Sequence, residues 1–187
     1  MDENTFWALV EASREASDNS LEDQAEHLGG ALLELGQDQV VAFDAVFTEA
    51  SRAIYSWEHV GAASVMLGWV GDDTFTDFRS WVIAQGRTTY ERFRADPDSI
   101  VDAGLDDQEE LGAAEMYAGV AAEVFAELAG GEIWDLLPER EGVEFQEDLA
   151  GVRFVESVGV MAERYPRLTA VYGPFSSEPK DPVRNDR

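Results

Sequence analysis

The chain has 187 residues and a mass of 20.6 kDa, which suits one ordinary hydrophobic core and leaves little room for two. Its 39 acids against 13 bases give a formal net charge of -26 and a pI near 4.1. Such a field repels nucleic-acid phosphates and anionic lipid, so direct binding to either is disfavoured. Absence of cysteine excludes disulfides, thiolate metal sites and cysteine nucleophiles.

An apolar fraction of 45% provides enough buried surface for a globular fold and sets the chain apart from charge-rich disordered sequences. The opening Met1-Asp2-Glu3-Asn4 is acidic where a secretory signal carries positive charge. The longest weakly polar run, Val60 to Val70, falls well short of the roughly 20 apolar residues of a membrane span. These features point to a soluble, cytoplasmic protein. Lys180 is the only lysine among the bases, a bias compatible with GC-rich coding or with a salt-adapted surface.

Residues 1–96 contain no proline, and their apolar residues recur at helical spacing, which predicts a run of helices. The first covers Thr5 to Ala16, with Phe6, Leu9, Val10 and Ser13 on one face. Asp18-Asn19-Ser20 breaks it, and Ser20 with Asp23 has capping-box spacing for a second helix that Gly36 ends. A third, from Asp38, carries Val40, Phe43, Phe47, Ala50 and Ile54. The fourth, Trp57 to Trp69, is apolar all round between Val60 and Leu67, the pattern of a central buried helix.

Gly71-Asp72-Asp73-Thr74 leads into a fifth helix, with Thr74 and Asp77 at capping-box spacing. It weakens at Gln85-Gly86 and resumes to Phe93. Asp96-Pro97-Asp98-Ser99 ends it, because the residue before proline is pushed out of the helical region. A polar connection containing Asp102, Gly104, Asp106 and Asp107 precedes a long helix from Glu109 to Ala129, stopped by Gly130-Gly131. The remainder, with Trp134, Leu136 and Pro138 and then Val152 to Tyr165, is less regular. Strand signals are sparse, so the expected class is all-α: one compact bundle of about seven helices over 1–172, with an extended, mobile tail over 173–187 that holds Pro174, Pro179 and Pro182.

Three stretches carry a resemblance. Phe6-Trp7-Ala8-Leu9-Val10-Glu11, the run Gly71-Asp72-Asp73-Thr74-Phe75-Thr76-Asp77-Phe78-Arg79-Ser80-Trp81-Val82-Ile83-Ala84-Gln85-Gly86-Arg87, and Asp96-Pro97-Asp98-Ser99 resemble, in that order, the bacterial family catalogued as domain of unknown function 4240. The resemblance covers roughly the first 130 residues. In that family the acidic pair follows a Gly-x-Ser or Gly-Cys-Ser turn, which Val70-Gly71 replaces here. It implies a fold and a domain extent, and no chemistry.

On a helical wheel at about 100° per residue, Arg79 falls inside the apolar arc of Phe75, Phe78, Val82 and Ile83. A guanidinium there needs a partner, which predicts an ion pair with Asp96 or Asp98, or with the nearer Asp72 or Asp73, locking the Asp-Pro-Asp-Ser turn onto this helix. The alternative makes Asp72, Asp73, Arg79 and Arg87 a ligand-binding set, with Trp81 or Trp69 beside them in a concave pocket. A cation site there is the weaker idea, since adjacent aspartates at a helix start usually serve its dipole.

Arg79, Arg87, Arg92 and Arg94 form a basic island, whereas residues 96–148 hold seventeen acids against Arg140 alone. The island either pairs with that acidic half or receives a phosphate or carboxylate. His27, among acids, reads as a surface residue, and His59 as a buried histidine or a lone acid/base. No nucleophile, metal-ligand or phosphate-loop motif accompanies them, and the five tryptophans read as core anchors. No catalytic residue and no cofactor is assigned. The expected function is a non-catalytic accessory or interaction module meeting a basic protein partner, with a small polar ligand as the alternative.

Overall fold

The computed structural model describes residues 1–18, 20–68, 70–105, 108–133 and 149–177. All regular elements among them are helical: α1 (Glu3–Ala16), α2 (Leu21–Leu35), α3 (Gln37–Ala53), α4 (Trp57–Leu67), α5 (Asp72–Ala84), α6 (Arg87–Ala95), a 3-10 helix (Pro97–Asp102), α7 (Gln108–Ala129), α8 (Val158–Arg164) and α9 (Pro166–Tyr172). The protein is all-α. The count exceeds seven because Gly86, at φ 89°, separates α5 from α6, and because the C-terminal segment adds α8 and α9. Of the expected tail, 178–187 lies outside the described residues.

Local chemistry sets most boundaries. Asp2 caps α1 by accepting from the Thr5 amide at 2.8 Å, which starts that helix two residues earlier than its apolar pattern suggests. Ser20 caps α2 through the Asp23 amide at 3.2 Å, as the spacing predicts. The Thr74–Asp77 box does not form. Helix α5 starts at Asp72 after Gly71 and has no side-chain cap, so Thr74 already lies inside its first turn and its hydroxyl cannot serve as a cap.

The core follows from the apolar faces. Gly61 to Leu67 of α4 are all buried, the central position that the composition of this helix predicts. An aromatic cluster joins α1, α3, α5 and α6: Phe6 lies 4.8 Å from Phe43, and Phe78 lies 5.6 Å from Trp81 and 5.8 Å from Phe93. Each such side chain contributes about 2 to 3 kcal/mol by leaving water. Trp7 and Trp81 are buried anchors. Trp57 is only half-buried, with the Arg153 guanidinium 4.7 Å above its ring; Trp69 and Trp134 lie outside the described residues.

Helices α2 and α7 pack along their lengths in the same direction. Tyr117 faces Gln24 and Ser13, and one turn further along, Gly29 faces Val120 and Val124. Gln24, itself buried, donates to the Ala84 carbonyl at 3.0 Å, tying α2 to the end of α5. Burial raises the Tyr117 phenol pKa, so this hydroxyl stays neutral.

The segment 149–177 packs on α4 and the 3-10 helix. Ala150 pairs with the turn before α4: the Trp57 amide donates to the Ala150 carbonyl at 3.1 Å, and the Ala150 amide to the Tyr55 carbonyl at 3.2 Å. Met161 and Leu168 enter the core. Tyr165 donates through its hydroxyl to the Glu58 carbonyl at 2.7 Å. Gly61 makes that approach possible, since a Cβ there would lie 2.3 Å from the Tyr165 hydroxyl and 2.7 Å from Phe154.

Candidate functional site

Asp72 and Asp73 occupy the first turn of α5 and are exposed, where their charge complements the helix dipole. Arg79 sits two turns further on, half-buried. The expected Arg79 ion pair with Asp96 or Asp98 is not formed, and among the described residues neither Asp72 nor Asp73 reaches it. Arg79 instead donates to the Ser51 hydroxyl at 2.8 Å, to the Ser51 carbonyl at 3.2 Å and to the Thr76 hydroxyl at 3.1 Å. Its guanidinium lies 4.8 Å from the Tyr55 ring centre and 5.2 Å from that of Phe75. Ser51 belongs to the last turn of α3, whose carbonyls have no partner within the helix and form its negative pole. Arg79 therefore caps α3, and the aromatic faces and carbonyl dipole do the work that a carboxylate was expected to do.

Both aspartates of the Asp-Pro-Asp-Ser turn are engaged elsewhere. Asp96 caps the 3-10 helix through the Asp98 amide at 3.2 Å. Asp98, buried at 6% exposure, accepts from the Arg167 amide at 2.9 Å with one oxygen and from the Leu168 amide at 2.9 Å with the other. Helix α9 has no cap of its own, and Asp98 supplies it. Beside it, Asp102 bridges Arg92 and Arg167, which lowers its pKa, the Arg92 contact first. Among the described residues, Arg92 is thus the member of the basic island that pairs with the acidic half.

Arg87 opens α6 and is held by Glu91 at 2.6 Å and by Asn4 at 2.8 Å. It lies on a different helix from Asp72, Asp73 and Arg79, and none of those three lines the cavity beside it. That cavity, open and of about 440 Å³, is lined by Glu11, Arg14, Glu15 and Asp18 on one side and by Gln85, Gly86, Arg87, Thr88 and Thr89 on the other. Trp81 does not line it, being wholly buried. Arg14 donates to the Gln85 side chain across this cavity at 3.2 Å. The sequence held two signals for this place, the Gln85-Gly86-Arg87 that closes the longest motif and the Glu11 that closes the first. Arg14, Glu15 and Asp18 carried none.

His27 is exposed. His59 is buried, its Nδ1 2.6 Å from the Ser56 hydroxyl and its ring edge-on to Phe93 at 4.8 Å. Among the described residues its Nε2 has no hydrogen-bond partner. Burial pushes its pKa down to about 4, so the ring is neutral at pH 7 where it packs against Phe93. Among the described residues, no group of three or more His, Asp or Glu side chains could hold a metal ion, and no helix is long and apolar enough to cross a membrane.

A further electrostatic feature is carried by two helices. Helix α2 carries Glu22, Asp23, Glu26 and Glu34, and α7 carries Glu115, Glu123 and Glu127, all exposed, with no lysine or arginine on either helix. None of these seven carboxylates forms an ion pair among the described residues. Among the described residues the ion pairs lie on other elements: Arg52 with Glu49, Arg87 with Glu91, Arg92 and Arg167 with Asp102, and Arg164 with Glu58. Leu35, Met116 and Leu128 stand exposed on the same two helices at 44%, 41% and 41%.

A family model described as a protein of unknown function, DUF4240, matches residues 1–127. No curated protein and no solved structure matches the chain.

Proposed function

The chain belongs to the DUF4240 family of proteins of unknown function, and on that premise we propose that it is a non-catalytic, cytoplasmic interaction module whose α2–α7 face receives a basic protein partner. One observation carries the reading. Two helices packed side by side display seven exposed carboxylates with no lysine or arginine among them, while Glu49, Glu58, Glu91 and Asp102 on other elements are paired with arginine. Uncompensated like charge costs a free domain stability, and a complementary surface offsets that cost on binding. The exposed Leu35, Met116 and Leu128 supply the apolar contacts that charge alone lacks. The same charge argues against nucleic acid and anionic membranes as partners.

The test compares the immobilised wild-type chain, a face variant (Glu22→Gln, Glu26→Gln, Glu115→Gln, Glu123→Gln) and a control neutralised at Glu49 and Glu156. Basic proteins captured from lysate at about 0.05 M salt should be held by wild type and control, lost by the face variant and released at about 0.5 M salt. Equal capture by all three chains would overturn the proposal.

A second reading, a small polar ligand, is favoured by the cavity at Gln85-Gly86-Arg87. Of the set Asp72, Asp73, Arg79 and Arg87, only Arg87 lines it. The amides of Arg87, Thr88 and Thr89 open α6 without a side-chain cap, and Glu11, Glu15 and Asp18 face them, which suits a zwitterion better than a simple anion. A thermal-shift screen of free amino acids and polyols tests this; a stabilising compound must lose its effect on Arg14→Ala.

A further inference from the structure

The family-matched part of the chain ends at residue 127, yet its Asp98 is committed to a helix that lies beyond it. The contacts that hold the C-terminal segment are those by which one protein recognises a basic peptide. Asp98 is more than nine-tenths buried and takes the two free amides at the start of α9. Glu58 pairs with Arg164 at 2.6 Å, and Asp102 pairs with Arg167. Trp57 offers its ring face to Arg153, and Gly61 leaves the notch that Tyr165 and Phe154 fill. The docked segment carries Arg153, Arg164 and Arg167 against Glu156 and Glu163, in a chain with 39 acids and 13 bases. Its outer side leaves Val152, Val155, Val158 and Val171 exposed, so the side turned to the body is the better packed one.

We propose that the surface formed by Glu58, Gly61, Asp98 and Asp102 is a recognition site for a basic segment that begins a helix, and that residues 149–172 occupy it in cis as an exchangeable internal ligand. The occupant it fits has a helix start with free amides, an arginine in that first turn to reach Asp102, and an aromatic residue just before it to enter the Gly61 notch, as Tyr165-Pro166-Arg167-Leu168 does here. A partner segment of that chemistry displaces the chain's own. Tethering gives the internal segment a high effective concentration, so binding in trans is weak until the tethered copy is loosened. This site is separate from the α2–α7 face and does not depend on it.

The probe is a fluorescein-labelled synthetic peptide of residues 149–177, titrated into the full-length chain and read by anisotropy. Wild type should bind it weakly. The exposed double variant Arg164→Ala with Arg167→Ala, whose internal segment has lost its ion pairs, should bind the same peptide about ten-fold tighter. Glu58→Gln with Asp102→Asn in that background, which removes carboxylates that only the peptide copy of the segment still has arginines to pair with, should abolish the gain. Both of these acceptor side chains are substantially exposed, and circular dichroism should show unchanged helix in the variant. Equal affinity for wild type and the double variant, or a gain that survives loss of these acceptors, overturns the proposal. Substitutions on α2 and α7 should leave the peptide titration unchanged, so the outcome is independent of the capture experiment above.

Discussion

Asp98 and Leu168, 70 positions apart, are joined at 2.9 Å through the second oxygen of a buried carboxylate whose first oxygen holds Arg167 at the same distance. Hydrogen bonds to a charged acceptor contribute about 1.5 to 3 kcal/mol each. Asp98→Ala should therefore lower the unfolding free energy by about 2 to 4 kcal/mol in urea titration, the two bonds being partly redundant. Hydrogen exchange should quicken first in residues 166–172. Asp98→Asn keeps one acceptor oxygen and should lose about half as much.

Gly61→Ala adds a single methyl group where the Tyr165 hydroxyl stands 2.3 Å away. Relief requires Tyr165 to withdraw, which breaks its bond to the Glu58 carbonyl. The expected result is faster exchange across 158–172 with α1 to α3 unchanged. Uniform protection in both segments would show that α4 shifts instead.

Arg79→Leu leaves no buried carboxylate behind, because the partners of Arg79 are Ser51, Thr76 and two aromatic rings. The loss should then be about 1 to 3 kcal/mol, the sum of modest hydrogen bonds and a partly exposed cation-π contact. Arg79→Lys should recover part of it, since an ammonium reaches Ser51 but lacks the planar fork. Chemical denaturation of the three chains measures this, and a loss above about 4 kcal/mol would point to a buried carboxylate partner after all.

His59 gives the protein a pH dependence whose sign follows from its burial. Its folded pKa is about 4 against 6.5 unfolded, so between those values the unfolded chain binds more protons. Stability attributable to this residue is complete above about pH 6.5 and falls as the pH drops toward about 4. Comparing wild type with His59→Gln at pH 7 and pH 4.5 isolates the effect, because the carboxylates titrate in both chains. The variant should lose less on acidification.

Which parts of this architecture could be read from sequence follows from the range of the interactions. Helices α1 to α5 and α7 are visible because their apolar spacing and their breaks at Gly36, Pro97 and Gly130 are local features, whereas Gly86 shows in the sequence only as a weakening of one helix that the structure divides into α5 and α6. Helices α8 and α9 have seven residues each, too short for a period to emerge, and α9 starts where a side chain from the 3-10 helix caps it. The wheel correctly set Arg79 against Phe75, yet its strongest partner is Ser51, 28 positions away, which no pattern within α5 can reveal. The cavity is the same case, since Gln85-Gly86-Arg87 is a motif in the sequence while Arg14 and Asp18 join it only through folding.

Carboxyl labelling with a carbodiimide and a neutral amine, on the chain free and saturated with a captured basic partner, most directly tests whether the α2–α7 face is the binding surface. Labelling at Glu22, Glu26, Glu115, Glu123 and Glu127 should fall several-fold on binding, with Glu49 and Glu156 unchanged. Full labelling of the α2 and α7 glutamates while the partner is bound would contradict the account.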